Sequence, residues 1–341
     1  MLVVCGHAIQ QLAGLDNRTA LNLCVERFII SFHMPIFMLI SGYLLHRSLQ
    51  RHKQESEILR QRCRMFAYPI LTLAIIRFLR WQLPHTTWSS FPTVFLHTLL
   101  NTLWFFWALL IITALVCMVH KWLRDNWGGH FMLIGLTLCL PNVYPLRAYV
   151  HLLPVFLLGY ALATCREIIN QGTCADRGMP SIGRLKFEFR GWMLITLMVV
   201  CAVAFLCMFP HFGYDDMIYF SRYSLIDSQH LGEDVKRDLL RFGIGVSGSL
   251  LTITALHWAI WLRLLRGKSL LWLTKIGRMT FGIYVFQDLL LLVFAPASRL
   301  LNSNYYLINA TASFLLLFTL AVWLTHTATK HKWASRLFLG I

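Results

Sequence analysis

The sequence predicts an all-α, polytopic membrane helix bundle, and three observations carry that prediction. Of the 341 residues, 57% are hydrophobic and 13% charged, against about 25% charged in ordinary soluble domains, and the mean hydropathy is +0.60. The apolar residues gather into runs, and a helix of about 20 such residues crosses a bilayer. None of the runs alternates with the period of a barrel strand, and helices are the only open-chain structures that satisfy their backbone groups in lipid.

The runs follow in order. Residues 1–13, MLVVCGHAIQQLA, are too few for a full span and read as a truncated first helix. The remaining spans are expected at 23–45, 66–83, 95–119, 131–141, 150–164, 192–209, 242–265, 276–295 and 305–327, which makes about ten transmembrane helices in all. The fifth and sixth of these are short. No soluble domain, repeat or low-complexity tract interrupts them, so residues 1–341 read as one integral membrane domain. The start lacks the basic n-region and small-residue cleavage site of a secretory signal peptide.

Charge sets the orientation. The net charge of +16 is spread over short connections rather than gathered on one face, which argues for membrane topology and against nucleic acid as a partner. Basic residues crowd the segments after even-numbered helices: Arg47, Arg51, Lys53, Arg60, Arg62 and Arg64, then Lys121 and Arg124, then residues 166–190, then residues 263–278. Excess Lys and Arg marks the cytoplasmic side, so both termini are expected in the cytoplasm of a cell whose inner membrane holds the protein. The acidic segment 210–241, with Tyr214, Tyr219 and Tyr223, then faces outward. At about 1.5 Å per residue, His7 and His33 come to similar depths below the outer surface.

The nine cysteines contain no CxxC pair and no zinc-like spacing with histidine, so they read as small buried apolar groups and no metal is expected. Other polar residues within spans are more telling, because an ionisable group at membrane depth is costly and by default functional. His7 lies in Val-Val-Cys-Gly-His-Ala, and His33 in Ser-Phe-His-Met-Pro just before Pro35, with Ser41-Gly42 farther along the same helix. Either histidine could instead join helices by hydrogen bonding, and His33 could serve backbone groups freed at Pro35. Asp288 is expected to pair with a buried arginine or to orient a histidine, and Glu26, beside Arg27, to form an interfacial ion pair.

Phe32-His33-Met34-Pro35-Ile36-Phe37 followed by Ser41-Gly42-Tyr43 resembles the second-helix signature of the acyltransferase 3 family, integral membrane enzymes that move acyl groups onto sugars. The wording is most similar to the fucose 4-O-acetylase-like branch. Leu103-Trp104-Phe105-Phe106-Trp107, Phe156 to Tyr160 and Ile276 to Phe286 are similar to further family segments, the last two through packing at Gly159 and Gly282.

The resemblance implies a membrane O-acyltransferase, by expectation an O-acetyltransferase. His7 falls where the family places its first-helix histidine and would act as general base, since imidazole titrates near the working pH. His33 would sit near it. Arg62-Cys63-Arg64 matches the family's Arg-x-Arg, which implies contact with acetyl-CoA or another acyl-CoA as donor substrate; guanidinium suits phosphate oxygens. Ser41, beside the same basic segment, is grouped with that donor site, and no resident cofactor is expected. Trp104 reads as an interfacial anchor or as a stacking face for the acceptor, a cell-surface glycan or lipid-linked sugar.

Two departures stand out. Relatives carry an arginine ahead of the first-helix histidine, a position that here falls before Met1, so either an upstream start or loss of that residue is expected. Relatives also have histidine where this chain has Gln287. A carbohydrate exporter with a polar path is the rival class, although such transporters often show paired repeats with broken helices and none is evident. Direct transfer and a covalent enzyme intermediate stay equally open, as do acceptor identity and oligomeric state.

Overall fold

A computed structural model describes residues 2–12, 20–51, 54–82, 90–123, 125–140, 146–175, 183–213, 231–294 and 306–341. The expected outer acidic segment with its tyrosines lies largely outside the described residues. Every regular element among them is helical: α1 (Leu2–Leu12), α2 (Ala20–Gln50), α3 (Glu55–Arg77), α4 (Phe91–Asn101), α5 (Trp104–Trp122), α6 (Trp127–Leu138), α7 (Leu146–Ala175), α8 (Gly183–Met208), α9 (Leu231–Trp261), α10 (Lys268–Phe294), α11 (Tyr306–Lys330) and a C-terminal turn α12 (Lys332–Ala334). Six are long and apolar enough to cross a membrane: Cys24–Gln50, Trp104–Trp122, Trp192–His211, Gly232–Trp261, Lys268–Phe294 and Ile308–Lys330. Trp127–Leu138 and His151–Arg166 are shorter apolar helices.

Two expected boundaries shift, each for a local reason. The span expected at 95–119 is broken between α4 and α5, where Leu103 takes a left-handed backbone with φ 50, a conformation that costs a branched side chain. The turn is fastened by Trp107, whose Nε1 donates to the Leu99 carbonyl at 3.1 Å. The basic stretch expected as a loop is mostly helix, since α2 runs to Gln50 and α3 starts at Glu55. Arg62 and Arg64 are therefore α3 residues.

The chain's contacts divide it into two compact units. The first comprises residues 1–29, 59–110 and 267–341. Its core joins α1, α10 and α11 through Val4, Ala8, Ile283, Phe286, Leu290, Leu317 and Ala321, with Gly282 admitting the side chains of Thr325 and Leu339. Phe106 stacks on Phe66 at 5.1 Å and on Phe281 at 4.8 Å, and the latter two meet at 5.9 Å, tying α3, α5 and α10 together. The C-terminal segment returns to α3: Thr72 donates from Oγ1 to the Leu337 carbonyl at 3.0 Å, and Gly340, with φ 66, lies against the backbone of Arg64 and Met65.

The second unit comprises residues 30–58 and 111–266. Here α2 and α7 touch backbone to backbone. A Cβ on Gly42 would strike the Phe156 carbonyl, and one on Gly159 would strike that of Leu39, the small-residue packing that membrane helices use in place of a hydrophobic drive. Beyond this crossing, His46 meets Tyr160 and Arg166 meets Tyr43, so the two helices run in the same direction. α9 packs against α2 at Pro35 and Phe32 through Gly245 and Gly248. α8 pairs with α9 and leaves Trp192, Met193, Val199, Val200, Val203 and Leu206 exposed, an apolar outer face suited to lipid.

Candidate functional site

In the first unit, α1 carries His7 half-buried between Val4 and Ala8, two members of the core shared with α10 and α11. On α10, Gln287 is 1% exposed, and its Oε1 has no hydrogen-bond partner among the described residues. Its neighbour Asp288 accepts at Oδ1 from Arg77 Nη2 at 2.5 Å, while Oδ2 has no hydrogen-bond partner among the described residues. The expected pairing of this carboxylate with an arginine is met, with a partly buried partner supplied by α3. Buried oxygens left without donors are rare and call for an explanation.

The same unit holds Arg62, partly buried, and Arg64, exposed, on α3. Residues two apart on a helix do not share a face, so these guanidiniums diverge along α3. Trp104, partly buried, opens α5 and meets Phe105 edge-on at 6.1 Å.

The second unit holds His33, buried, and Ser41, partly buried, both on α2. It also contains groups that the sequence reading passed over. Asp125, just before α6, has φ 56, a left-handed backbone that Asp tolerates better than most residues. Its Oδ1 accepts from His130 Nε2 at 2.9 Å and its Oδ2 from the Tyr160 hydroxyl at 2.8 Å. His130 Nδ1 is then buried with no hydrogen-bond partner among the described residues. Burial alone would raise the Asp125 carboxyl, but the hydrogen bonds from His130 and Tyr160 and the charges of His130 and His120 outweigh it and hold the group below its ordinary range. At the start of α3, Glu55 accepts from His120 Nδ1 at 2.9 Å. Its carboxyl is lowered first by its own backbone N–H and then by that histidine.

Tyr160 also packs edge-on against His46, ring centroids 4.8 Å apart. His46 is buried and lines a cleft of about 270 Å³ with Tyr43, Arg47, Gln50, Arg51, Ala163 and Arg166. The signal for this cleft was present in the sequence: positions 43, 46, 47, 50 and 51 place polar residues on one face of an otherwise apolar helix. At the far end of α7 and on α9, His151 and Arg241 are likewise buried, with Asp238 Oδ1 at 3.5 Å from Arg241 Nη1.

Helices of membrane length with imidazole, guanidinium and carboxylate groups set among them define a multi-pass membrane protein with polar sites inside its spans. The chain belongs to the acyltransferase 3 family, whose model, described as an acyltransferase domain, matches residues 1–328. It is accordingly a membrane acyltransferase. It has no significant match among curated proteins or solved structures.

Proposed function

We propose that this protein is an O-acyltransferase that uses His7 as general base to move an acyl group, by expectation acetyl, from acyl-CoA to a hydroxyl of a cell-surface glycan or lipid-linked sugar. The observation that carries this reading is a half-buried imidazole on α1, a helix whose Val4 and Ala8 share a core with α10, while on α10 Gln287 Oε1 and Asp288 Oδ2 are buried with no hydrogen-bond donor among the described residues. An alcohol supplies such donors and is the acceptor that the reaction requires. As its oxygen attacks the thioester carbonyl carbon, the imidazole takes the hydroxyl proton. The carbon–sulfur bond then breaks, and the leaving thiolate recovers the proton from the imidazolium.

Within the first unit, Arg62 and Arg64 are assigned to the donor's phosphates and Trp104 to the face of an acceptor sugar ring; His33 and Ser41 lie in the second unit. The donor is a substrate, and no role is assigned to a resident cofactor or metal. Two features support an orientation with both termini in the cytoplasm of an inner-membrane protein: the distribution of Lys and Arg, and the shared direction of α2 and α7, which brings Arg47, Arg51 and Arg166 to one end.

The test is transfer from radiolabelled acetyl-CoA to glycan acceptor by purified protein in lipid nanodiscs. His7→Ala is expected to lower the rate by about 10²- to 10⁴-fold, the usual contribution of a general base. Glycan movement with no consumption of acyl donor would overturn the reading. Mass spectrometry of surface glycans with and without the gene identifies the acceptor.

A further inference from the structure

The cleft at the basic end of α2 and α7 binds a phosphate-ester anion, we infer, through Arg47, Arg51 and Arg166. The inference stands apart from the His7 chemistry and from the arginines of α3. Its first basis is register. Tyr43, His46, Arg47, Gln50 and Arg51 follow the i, i+3, i+4, i+7, i+8 spacing of a single helix face, and all five line the cleft. α7 closes it with Ala163, whose small side chain leaves room, and with Arg166. The glycine crossing at Gly42 and Gly159 brings the two backbones into contact just before this point, so residues on both helices can reach one ligand.

The second basis is charge. Three arginines and a histidine line the cleft, and its lining includes no carboxylate among the described residues. Arginines that merely mark the cytoplasmic side extend separately toward water or headgroups. Arg166 instead donates from Nη1 to the Tyr43 hydroxyl at 2.5 Å, a contact that fixes the guanidinium while engaging one of its five N–H groups. Arginines lining one concavity suit the oxygens of a phosphate, which accepts bonds from a guanidinium fork in pairs. The volume of about 270 Å³ lies just below the ~300–1,000 Å³ of sites that engulf a drug-sized ligand. The cleft therefore takes the anionic end of a larger molecule. That end comes from a soluble nucleotide phosphate or from an anionic phospholipid headgroup, and one experiment separates the two.

The full-length protein is reconstituted in phosphatidylcholine nanodiscs, and binding of adenosine 3′,5′-bisphosphate is measured by calorimetry. Parallel samples in nanodiscs mixed with phosphatidylglycerol are analysed for lipid retained after detergent exchange. Arg51→Gln, the Arg47→Gln/Arg51→Gln pair and Arg166→Gln are compared with the unaltered chain and with Arg278→Gln, an exposed arginine on α10, as a control, and thermal unfolding verifies that each is folded. Arg51 lies at the exposed end of α2, so its single variant keeps the test available should Arg166→Gln misfold. Charge-assisted hydrogen bonds of this kind set affinity changes of roughly tenfold or more. Bisphosphate binding weakened by that factor in the cleft variants, but not in Arg278→Gln, supports the site with a soluble phosphate as occupant. Selective loss of retained phosphatidylglycerol in the same variants supports it with a headgroup as occupant. Folded cleft variants that match the unaltered chain in both assays overturn it. Neither assay requires acyl transfer, so an inactive His7→Ala protein that still binds separates this result from the catalytic one.

Discussion

Asp125 shows how a few residues can hold a helix end in an otherwise apolar protein. Its carboxylate accepts from His130 and from Tyr160 at once, and the lowered carboxyl fixes the sign of the pH effect. The stabilisation is present above the ordinary carboxylate value of about 3.9 and is lost as pH falls through the depressed folded value. Asp125→Asn is expected to cost about 1–3 kcal/mol at neutral pH and to flatten the acid limb of a thermal-unfolding series. The Arg77–Asp288 pair follows another rule, because removing one partner strands a partly buried charge. Arg77→Met is expected to destabilise by about 1–3 kcal/mol, with Arg77→Met/Asp288→Leu recovering much of the loss, measured as melting temperature in detergent. The sequence announced Asp288 as a carboxylate within a span but could not name its partner. Arg77 is distant along the chain, and α3, α5 and α10 had to be packed together before the pair could be seen.

At the scale of elements, the helical character was legible because backbone groups in lipid demand it; of the ten or so spans expected, six helices among the described residues are long and apolar enough to cross a membrane. Glycines at helix crossings were legible too: Gly159 and Gly282, singled out for packing, both admit a neighbouring element. The interruption at Leu103 was not legible, since neither glycine nor proline marks it and only the backbone angle reveals it. His46 and the arginines of the cleft were hidden for a different reason. Read as loop, Arg47 and Arg51 had no face in common; read as the last turns of α2, they share one with Tyr43. Gly159→Ala tests the crossing directly. Its added methyl would meet the Leu39 carbonyl, a rigid atom that cannot turn aside, so the expected outcome is a loss of about 1–3 kcal/mol by overpacking, read as reduced melting temperature and yield. Gly277→Ala, in open space on α10, should be neutral or slightly stabilising.

For the whole molecule, the proposed orientation makes a labelling prediction. Cys63 on α3, Cys139 after α6 and Cys165 on α7 are exposed. A membrane-impermeant maleimide added to intact cells is expected to modify Cys139, and to reach Cys63 and Cys165 only after permeabilisation. The reverse pattern would invert the topology and with it the side from which the donor arrives. Much of this large-scale picture was available from composition and loop charge, because insertion responds to those sums over many residues. The chemistry was less available, since it depends on which polar atoms meet across helices far apart in the chain.

The contact of α2 with α7 has a mechanical corollary. With main-chain carbonyls seated in the notches of Gly42 and Gly159, neither helix can slip a turn past the other without driving a bulky side chain into those notches. The same notches keep Arg47 and Arg51 in axial register with Arg166 across the cleft that they line.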